Sequence, residues 1–164
     1  MQDETLSYVL LGGLAIALLF AAFTDMRRRQ IDNWLNIGIA LAAPLFWFAS
    51  GMGWADIGIQ LGLALAVFAV LLALFAAGWM GGGDVKLLTA LALWITPGPY
   101  LQLLLAMSLL GGVLTIFMAM WHKMRRSKDK LKIPYGVAIC SAGLWVLATQ
   151  YWPNIQPVTS AIGT

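Results

Sequence analysis

Charged side chains are scarce in this sequence, because Asp, Glu, Lys and Arg together make up only 10% of its 164 residues. An ordinary soluble domain carries about 25% charged residues. Because this chain has far fewer, and because 61% of it is hydrophobic, water is not expected to be its main solvent. Cysteine is almost absent as well, and Cys140 has no second cysteine for a disulfide or for a metal-binding CxxC pair. We therefore expect no metal and no cofactor, and we expect Cys140 to pack as a small apolar side chain.

Long uncharged stretches take the place of the missing charges, and each is long enough for the roughly 20 residues that a helix needs to cross a membrane. The stretch over residues 87–122 is too long for one span, and the tetrapeptide TPGP at residues 96–99 should break it. The sequence thus predicts an all-α polytopic membrane protein, a single membrane-embedded domain over residues 1–164 with about six transmembrane or partly re-entrant helices. The helices are expected near residues 6–23, 34–50, 57–77, 85–95, 100–121 and 133–152.

The fourth of these segments is unusually short. As a helix it would rise only about 16 Å. It must either borrow flanking residues or dip into the membrane without crossing it.

The first segment raises a different question, because an apolar N-terminal run can be a signal peptide. The chain starts with MQDE rather than with basic residues, so we expect a retained span.

The Lys and Arg residues predict the orientation in the membrane. Six alternating spans put the connections around residues 24–33, 78–84 and 122–132 on one side, and all ten Lys and Arg residues fall there or just beyond. The opposite side carries only Asp3, Glu4 and Asp56. The positive-inside rule then makes the basic side cytoplasmic and puts both termini outside. We expect the basic residues to contact anionic lipid rather than nucleic acid.

Two aspartates are expected at the cytoplasmic boundary of the membrane. Asp25 follows the apolar run LLFAAFT, and Asp84 precedes another apolar segment. Ionisable residues at this depth are costly and are candidates for a functional site. Two carboxylates that share a partly dehydrated site cannot both ionise cheaply. One keeps a proton while the other draws a proton from water, as in an aspartic protease.

Each aspartate also has a simpler interpretation. Asp25 would be an interfacial charge paired with Arg28 or Arg29, and Asp84 would cap the helix that begins at Val85. The sequence alone leaves both interpretations open beside the catalytic one.

Several neighbours of the aspartates are candidates for binding a peptide. The glycines at residues 81–83 allow positive φ and a close backbone approach, so this loop suits an extended peptide that pairs by strand addition. Lys86 is either the positive partner of one aspartate or an interfacial lysine whose charge reaches the membrane surface. Asp32 is expected to cap the helix that opens at Trp34.

Three motifs, in order along the chain, resemble those of the GxGD intramembrane aspartyl proteases. GGGDVKLL looks like the GxGD signature, and DMRRRQIDNWLN is similar to the motif that holds the first catalytic aspartate. KIPYGVAI, residues 132–139, is similar to a later Pro-Tyr-Gly-x-Ala motif. Within that family the chain resembles the small type IV prepilin peptidases of the tight-adherence (Flp) pilus type. It departs from many of them in carrying Asp32 before Asn33, where they have proline.

The resemblance implies a multi-pass endopeptidase of the inner membrane that removes the leader of prepilins at the cytoplasmic face. Its substrate would be a prepilin with a short basic leader and an apolar helix, and Asp25 and Asp84 would be the catalytic pair. Larger relatives also carry paired CxxC motifs and methylate the new N-terminus, but nothing here matches that part, so no methyltransferase domain is expected. The residues expected to bind substrate are Gly81, Gly82, Gly83, Lys86, Pro134, Tyr135 and Gly136.

Other functions fit parts of the same pattern. A proton- or cation-coupled transporter would use Asp25 and Asp84 as ion sites and the break at residues 96–99 as an interruption of a helix. A non-enzymatic subunit of a pilus or secretion machine would use the basic loops to dock acidic partners. An archaeal-type preflagellin peptidase shares the GxGD chemistry and acts on a different substrate.

Overall fold

The computed structural model describes residues 4–124 and 135–162, with side chains described up to residue 151. Within those residues the chain is helical and contains no strand, which confirms the all-α prediction. Six helices follow one another, as the apolar segments predict. They are α1 (Glu4–Arg28), α2 (Asn33–Ala49), α3 (Trp54–Ala76), α4 (Gly82–Ala92), α5 (Pro97–Met124) and α6 (Tyr135–Ile162).

The outside of this helix bundle is apolar. Leu41, Leu65 and Leu109 on three different helices expose 71%, 70% and 73% of their surface. Apolar patches of this extent are rare on soluble proteins, and α1, α3 and α5 are each long and apolar enough to cross a membrane. The protein is therefore a polytopic membrane protein whose exposed leucines face lipid.

The helices α4 and α6 lie at the centre of the bundle. The helices α1, α2, α4 and α6 contact one another in a closed ring, while α3 packs on α4 and α5 packs on α6. Leu18, Leu88, Leu91 and Val146 fill the interior of the ring and are fully buried. Cys140 of α6 lies among them as a free, buried thiol, in agreement with the prediction that it packs as an apolar side chain.

The shortest helix, α4, ends inside the bundle, which leaves backbone carbonyls to be satisfied there. Gln60 of α3 donates hydrogen bonds to the carbonyls of Ala92 and Ile95, each at 2.8 Å. The indole of Trp47 donates to the carbonyl of Leu93 at 2.7 Å. Side chains thus pair the carbonyl groups that the end of this short helix leaves free. At 11 residues, α4 rises only about 16 Å and does not cross the membrane as a helix.

The break that was expected at TPGP does separate two helices, and its prolines lie at the start of the second one. Pro97 is the first residue of α5, and Pro99 lies in the same first turn, whereas α4 already ends at Ala92. A proline has no N–H, but the first turn of a helix has no use for that donor, so the residue fits there without loss. The interruption between the two helices is therefore centred on residues 93–96 rather than on TPGP.

The bundle has two chemically different ends. One end collects the last turns of α1, α3 and α5 and the first turns of α2, α4 and α6, and it holds both Asp25 and Asp84. At the other end Glu4, Asp56 and Tyr151 line a cavity of about 870 Å³ above the end of α4. The two aspartates, distant in sequence, thus share one end of the bundle.

Candidate active site

Asp25 points into the bundle from the last turn of α1. Its neighbours Arg27 and Arg28 are exposed, but Asp25 exposes only 5% of its surface. The backbone N–H groups of Gly136 and Val137, in the first turn of α6, donate hydrogen bonds to its carboxylate. Free N–H groups at a helix N-terminus favour an anionic partner. The start of α6 therefore sets the orientation of the Asp25 carboxylate.

Gly136 is in direct contact with this carboxylate. A Cβ atom at residue 136 would lie 2.7 Å from Oδ2 and 2.8 Å from Cγ of Asp25, and 3.0 Å from Cδ1 of Ile31. Such distances are too short for a carbon atom, so only glycine fits here. Gly136 was expected to bind substrate, and the structure brings it to the first aspartate. This same oxygen, Oδ2 of Asp25, is buried without a hydrogen-bond partner among the described residues.

Tyr135 lies beside Gly136 in sequence but contacts a different helix. Its ring packs on Gly111 of α5, where an added Cβ would lie 2.9 Å from the ring. Its hydroxyl lies 3.1 Å from the hydroxyl of Thr115 on the same helix. Tyr135 thus joins the start of α6 to α5. Pro134, the third residue expected from this motif, lies outside the described residues.

Asp84 occupies the first turn of α4 and is half-buried. Its carboxylate accepts a hydrogen bond from the backbone N–H of Gly81, the residue that caps this helix. The capping interpretation therefore holds in part, with Asp84 reaching back from the third helical position. The helix is not among those long enough to cross the membrane. Burial raises the pKa of the Asp84 carboxyl to about 6, and the charge of Asp25 contributes to the same increase.

The three glycines do not form the open loop that the sequence suggested. Gly82 and Gly83 are the first residues of α4, and Gly81 has φ −75° and ψ 142°, which any residue adopts. None of these three glycines uses the positive φ that a glycine allows. A positive φ of 76° occurs instead at Gly78, just after α3 ends. Gly82 and Gly83 serve close packing, because added Cβ atoms would lie 3.3 Å from Phe75 and 3.4 Å from Ile31, respectively.

Ile31 connects the two halves of the site. The chain leaves α1 through Arg29, whose φ of 52° turns it sharply, and Ile31 returns to the interior with 7% of its surface exposed. It packs against Gly83 at the start of α4 and against Gly136 at the start of α6. Arg29 is close enough for its charge to act on Asp25, but its side chain is exposed. The ion-pair interpretation of Asp25 therefore accounts for only part of its surroundings.

The remaining polar candidates lie beside the aspartates. Lys86 is exposed and donates a hydrogen bond of 2.7 Å to the side-chain oxygen of Asn33. Asp32 takes the N-cap position of α2, as expected, but its side chain makes no capping hydrogen bond. No group of three or more His, Cys, Asp or Glu side chains in the described part of the chain is placed to hold a metal ion. The site therefore offers two carboxylates and several backbone amides.

Sequence reasoning missed two contributors to this site. Val137 acts through its backbone N–H. Every residue except proline has this group, so the identity of the side chain does not indicate the role. Ile31 had a signal, because it is a single apolar residue between the polar runs RRRQ and DN. Such a residue in a connection between helices is expected to turn inwards and pack.

Comparison with known proteins adds an independent result. The family model described as the type IV leader peptidase family matches residues 13–116, more than half of the chain. The match includes Asp25 and Asp84 and stops before α6. A search of curated proteins gives no significant match, and neither does a search of solved structures.

Proposed function

Because the chain belongs to the type IV leader peptidase family, we propose that it is an aspartyl endopeptidase that removes the leader of Flp-like prepilins. Asp25 and Asp84 are the catalytic residues of this proposal. The observation that carries it is that both carboxyl groups lie at one end of the bundle, close enough for the charge of Asp25 to raise the pKa of Asp84. Two coupled carboxyl groups in a partly buried site are the arrangement that activates water without a metal.

The chemistry follows from the unequal surroundings of the two groups. The carboxylate that is ionised takes a proton from a water molecule, which attacks the carbonyl carbon of the scissile peptide bond. The carboxyl that holds a proton donates it towards the carbonyl oxygen. The tetrahedral intermediate then collapses as a proton passes to the leaving amine. Two backbone N–H groups of α6 favour the ionised form of Asp25, so Asp25 acts as the base and Asp84 as the proton donor.

The cytoplasmic side is proposed from the distribution of charge. Arg27, Arg28 and Lys123 lie at the same end of the bundle as the aspartates, whereas Glu4 and Asp56 lie at the other end. Positive residues are retained on the cytoplasmic side of bacterial inner membranes. In this orientation both termini lie outside, and the leader of a prepilin reaches the aspartates from the cytoplasm while its apolar helix stays in the lipid.

The test is cleavage of a prepilin in cells that express the protein together with its substrate. We expect Asp25→Asn and Asp84→Asn each to abolish leader removal at unchanged membrane levels. Asp56→Asn is the matched control, because Asp56 is exposed, lies at the other end, and contacts the backbone N–H of Gly53 through an oxygen that asparagine retains. Cleavage that survives both substitutions at the site would refute the two-aspartate mechanism, whereas a wild-type protein that cleaves no prepilin would favour the transporter or subunit function.

The same assay separates a prepilin peptidase from a preflagellin peptidase. We expect removal of a leader from a Flp-type prepilin and no removal from an archaellin precursor. The reverse preference would assign the chain to the archaeal type while leaving the catalytic pair intact.

A further inference from the structure

A groove runs from the candidate active site towards the middle of the bundle. It has a volume of about 420 Å³ and lies between α2 and α4, with Phe68 of α3 at its side. Both helices contribute residues at the spacing i, i+3, i+4 and i+7, which is one face of a helix. We call it the Asn36 groove, and its lining from α2 and α4 is Asn33, Asn36, Ile37, Ala40, Lys86, Thr89, Ala90 and Leu93.

Asn36 is the anomaly in this groove. It exposes only 4% of its surface. Neither the nitrogen nor the oxygen of its side chain has a hydrogen-bond partner among the described residues. The other deeply buried amide of the bundle, Gln60, pairs with two backbone carbonyls. A buried polar group without a partner destabilises a protein.

The missing partner must offer both a donor and an acceptor. A carboxamide presents N–H donors and a carbonyl acceptor side by side, as does a peptide backbone. An apolar helix that is cleaved by a protease must first unwind around the scissile bond, which frees its backbone N–H and C=O groups in an apolar environment. Such a segment needs the hydrogen bonds that Asn36 has free.

The position of the groove indicates which side of the scissile bond it receives. Its near end is marked by Lys86, two residues beyond Asp84, hydrogen-bonded to Asn33. A positive charge at this point disfavours a basic leader. Farther in, the walls are apolar, formed by Ala40, Leu93 and Phe68. These walls match the apolar segment that follows the leader.

We propose that the Asn36 groove binds the unwound first residues of the mature pilin segment, just after the scissile bond, and that the Asn36 carboxamide pairs with their backbone. This inference rests on the proposed function and deepens it by assigning a substrate subsite. Asn36 is a substrate-binding residue here and takes no part in the proton transfers at the aspartates.

The first test replaces Asn36 by leucine, which has a similar size and no polar atoms. We expect kcat/KM for prepilin cleavage to fall about 10-fold as the hydrogen bonds to substrate are lost. We expect the thermal unfolding temperature of the substrate-free protein to rise, because the unpaired amide is gone. Gln60→Leu is the matched control and should lower that temperature, because it leaves two carbonyls unpaired. A lower unfolding temperature for Asn36→Leu, or unchanged kcat/KM, would overturn the proposal.

The second test is disulfide cross-linking to a prepilin that carries single cysteines near its cleavage site. The enzyme carries Asp84→Asn to retain the uncleaved substrate, Cys140→Ala to remove its native thiol, and Ala40→Cys in the groove. We expect cross-links to substrate positions shortly after the scissile bond. Leu41→Cys is the matched control, because Leu41 is the next residue and faces outwards with 71% of its surface exposed. Cross-linking from residue 41 rather than 40, or from neither, would place the segment elsewhere.

The two proposals fail separately in these experiments. If the aspartate variants lose cleavage while Asn36→Leu cleaves normally and residue 40 forms no cross-link, the peptidase function stands and the subsite is wrong. If the aspartate variants still cleave the prepilin, the proposed mechanism is wrong whatever the groove binds.

Discussion

Gly136→Ala is the substitution whose effect the structure specifies most directly. The added Cβ would lie 2.7 Å from Oδ2 of Asp25 and 2.8 Å from Cγ, whereas an ordinary contact begins at about 3.4 Å. Either the carboxylate or the start of α6 must therefore move by about 0.7 Å. Ile31 cannot absorb the change, because its Cδ1 is itself 3.0 Å from the new atom.

The expected effect on activity follows from the tolerance of catalytic geometry. Functional groups must be held to within about 0.5 Å, and a displacement of about 1 Å costs on the order of 100-fold in rate. We expect kcat for prepilin cleavage to fall by roughly 100-fold while KM changes little, because the displaced group acts in the transition state. Overpacking costs about 1–3 kcal/mol of stability, and the better helix propensity of alanine offsets up to about 1 kcal/mol of this.

The assay compares kcat, KM and thermal unfolding of purified protein in lipid nanodiscs. Gly112→Ala is the matched control, because a Cβ at residue 112 on α5 meets no atom within 4 Å. This control should cleave normally and unfold at the same or a slightly higher temperature. Wild-type kcat in Gly136→Ala would refute the reasoning, because it would mean that Asp25 does not need the position that the start of α6 imposes on it.

Three further predictions concern single contacts. Asp25→Asn should lower the pKa of Asp84 from about 6, because a neighbouring negative charge opposes ionisation; burial should still keep that pKa above its usual value of 3.8, as carboxyl infrared bands across a pH titration would show. Gly111→Ala should destabilise the protein by about 1–3 kcal/mol, because its Cβ would lie 2.9 Å from the ring of Tyr135, and an unfolding temperature equal to that of wild type would contradict this. Tyr100→Phe should cost about 1–3 kcal/mol in the same assay, because the phenol donates to a buried carbonyl of α4 at 3.0 Å, and it should leave prepilin cleavage unchanged.

Some features of the site were not predicted because they depend on packing between helices, which the order of residues along the chain does not show. The glycines at residues 81–83 were expected in a peptide-binding loop, but two of them lie in a helix. Gly82 and Gly83 begin α4 because they let Phe75 and Ile31 approach closely. The prolines of TPGP were correctly taken to prevent a continuous helix. They do so from the first turn of α5, where a proline needs no N–H.

The membrane class, the number of helices and the common end of the two aspartates can be read from the sequence alone. These follow from hydropathy and from the alternation of spans, which are properties of each segment in turn. Three other features come from the folded arrangement: Gly136 and Val137 hold Asp25, Ile31 joins the starts of α4 and α6, and Asn36 is buried without a partner among the described residues. Such contacts depend on which faces of the helices pack together and how closely, and side-chain packing between segments distant in sequence leaves no periodic signal in either one.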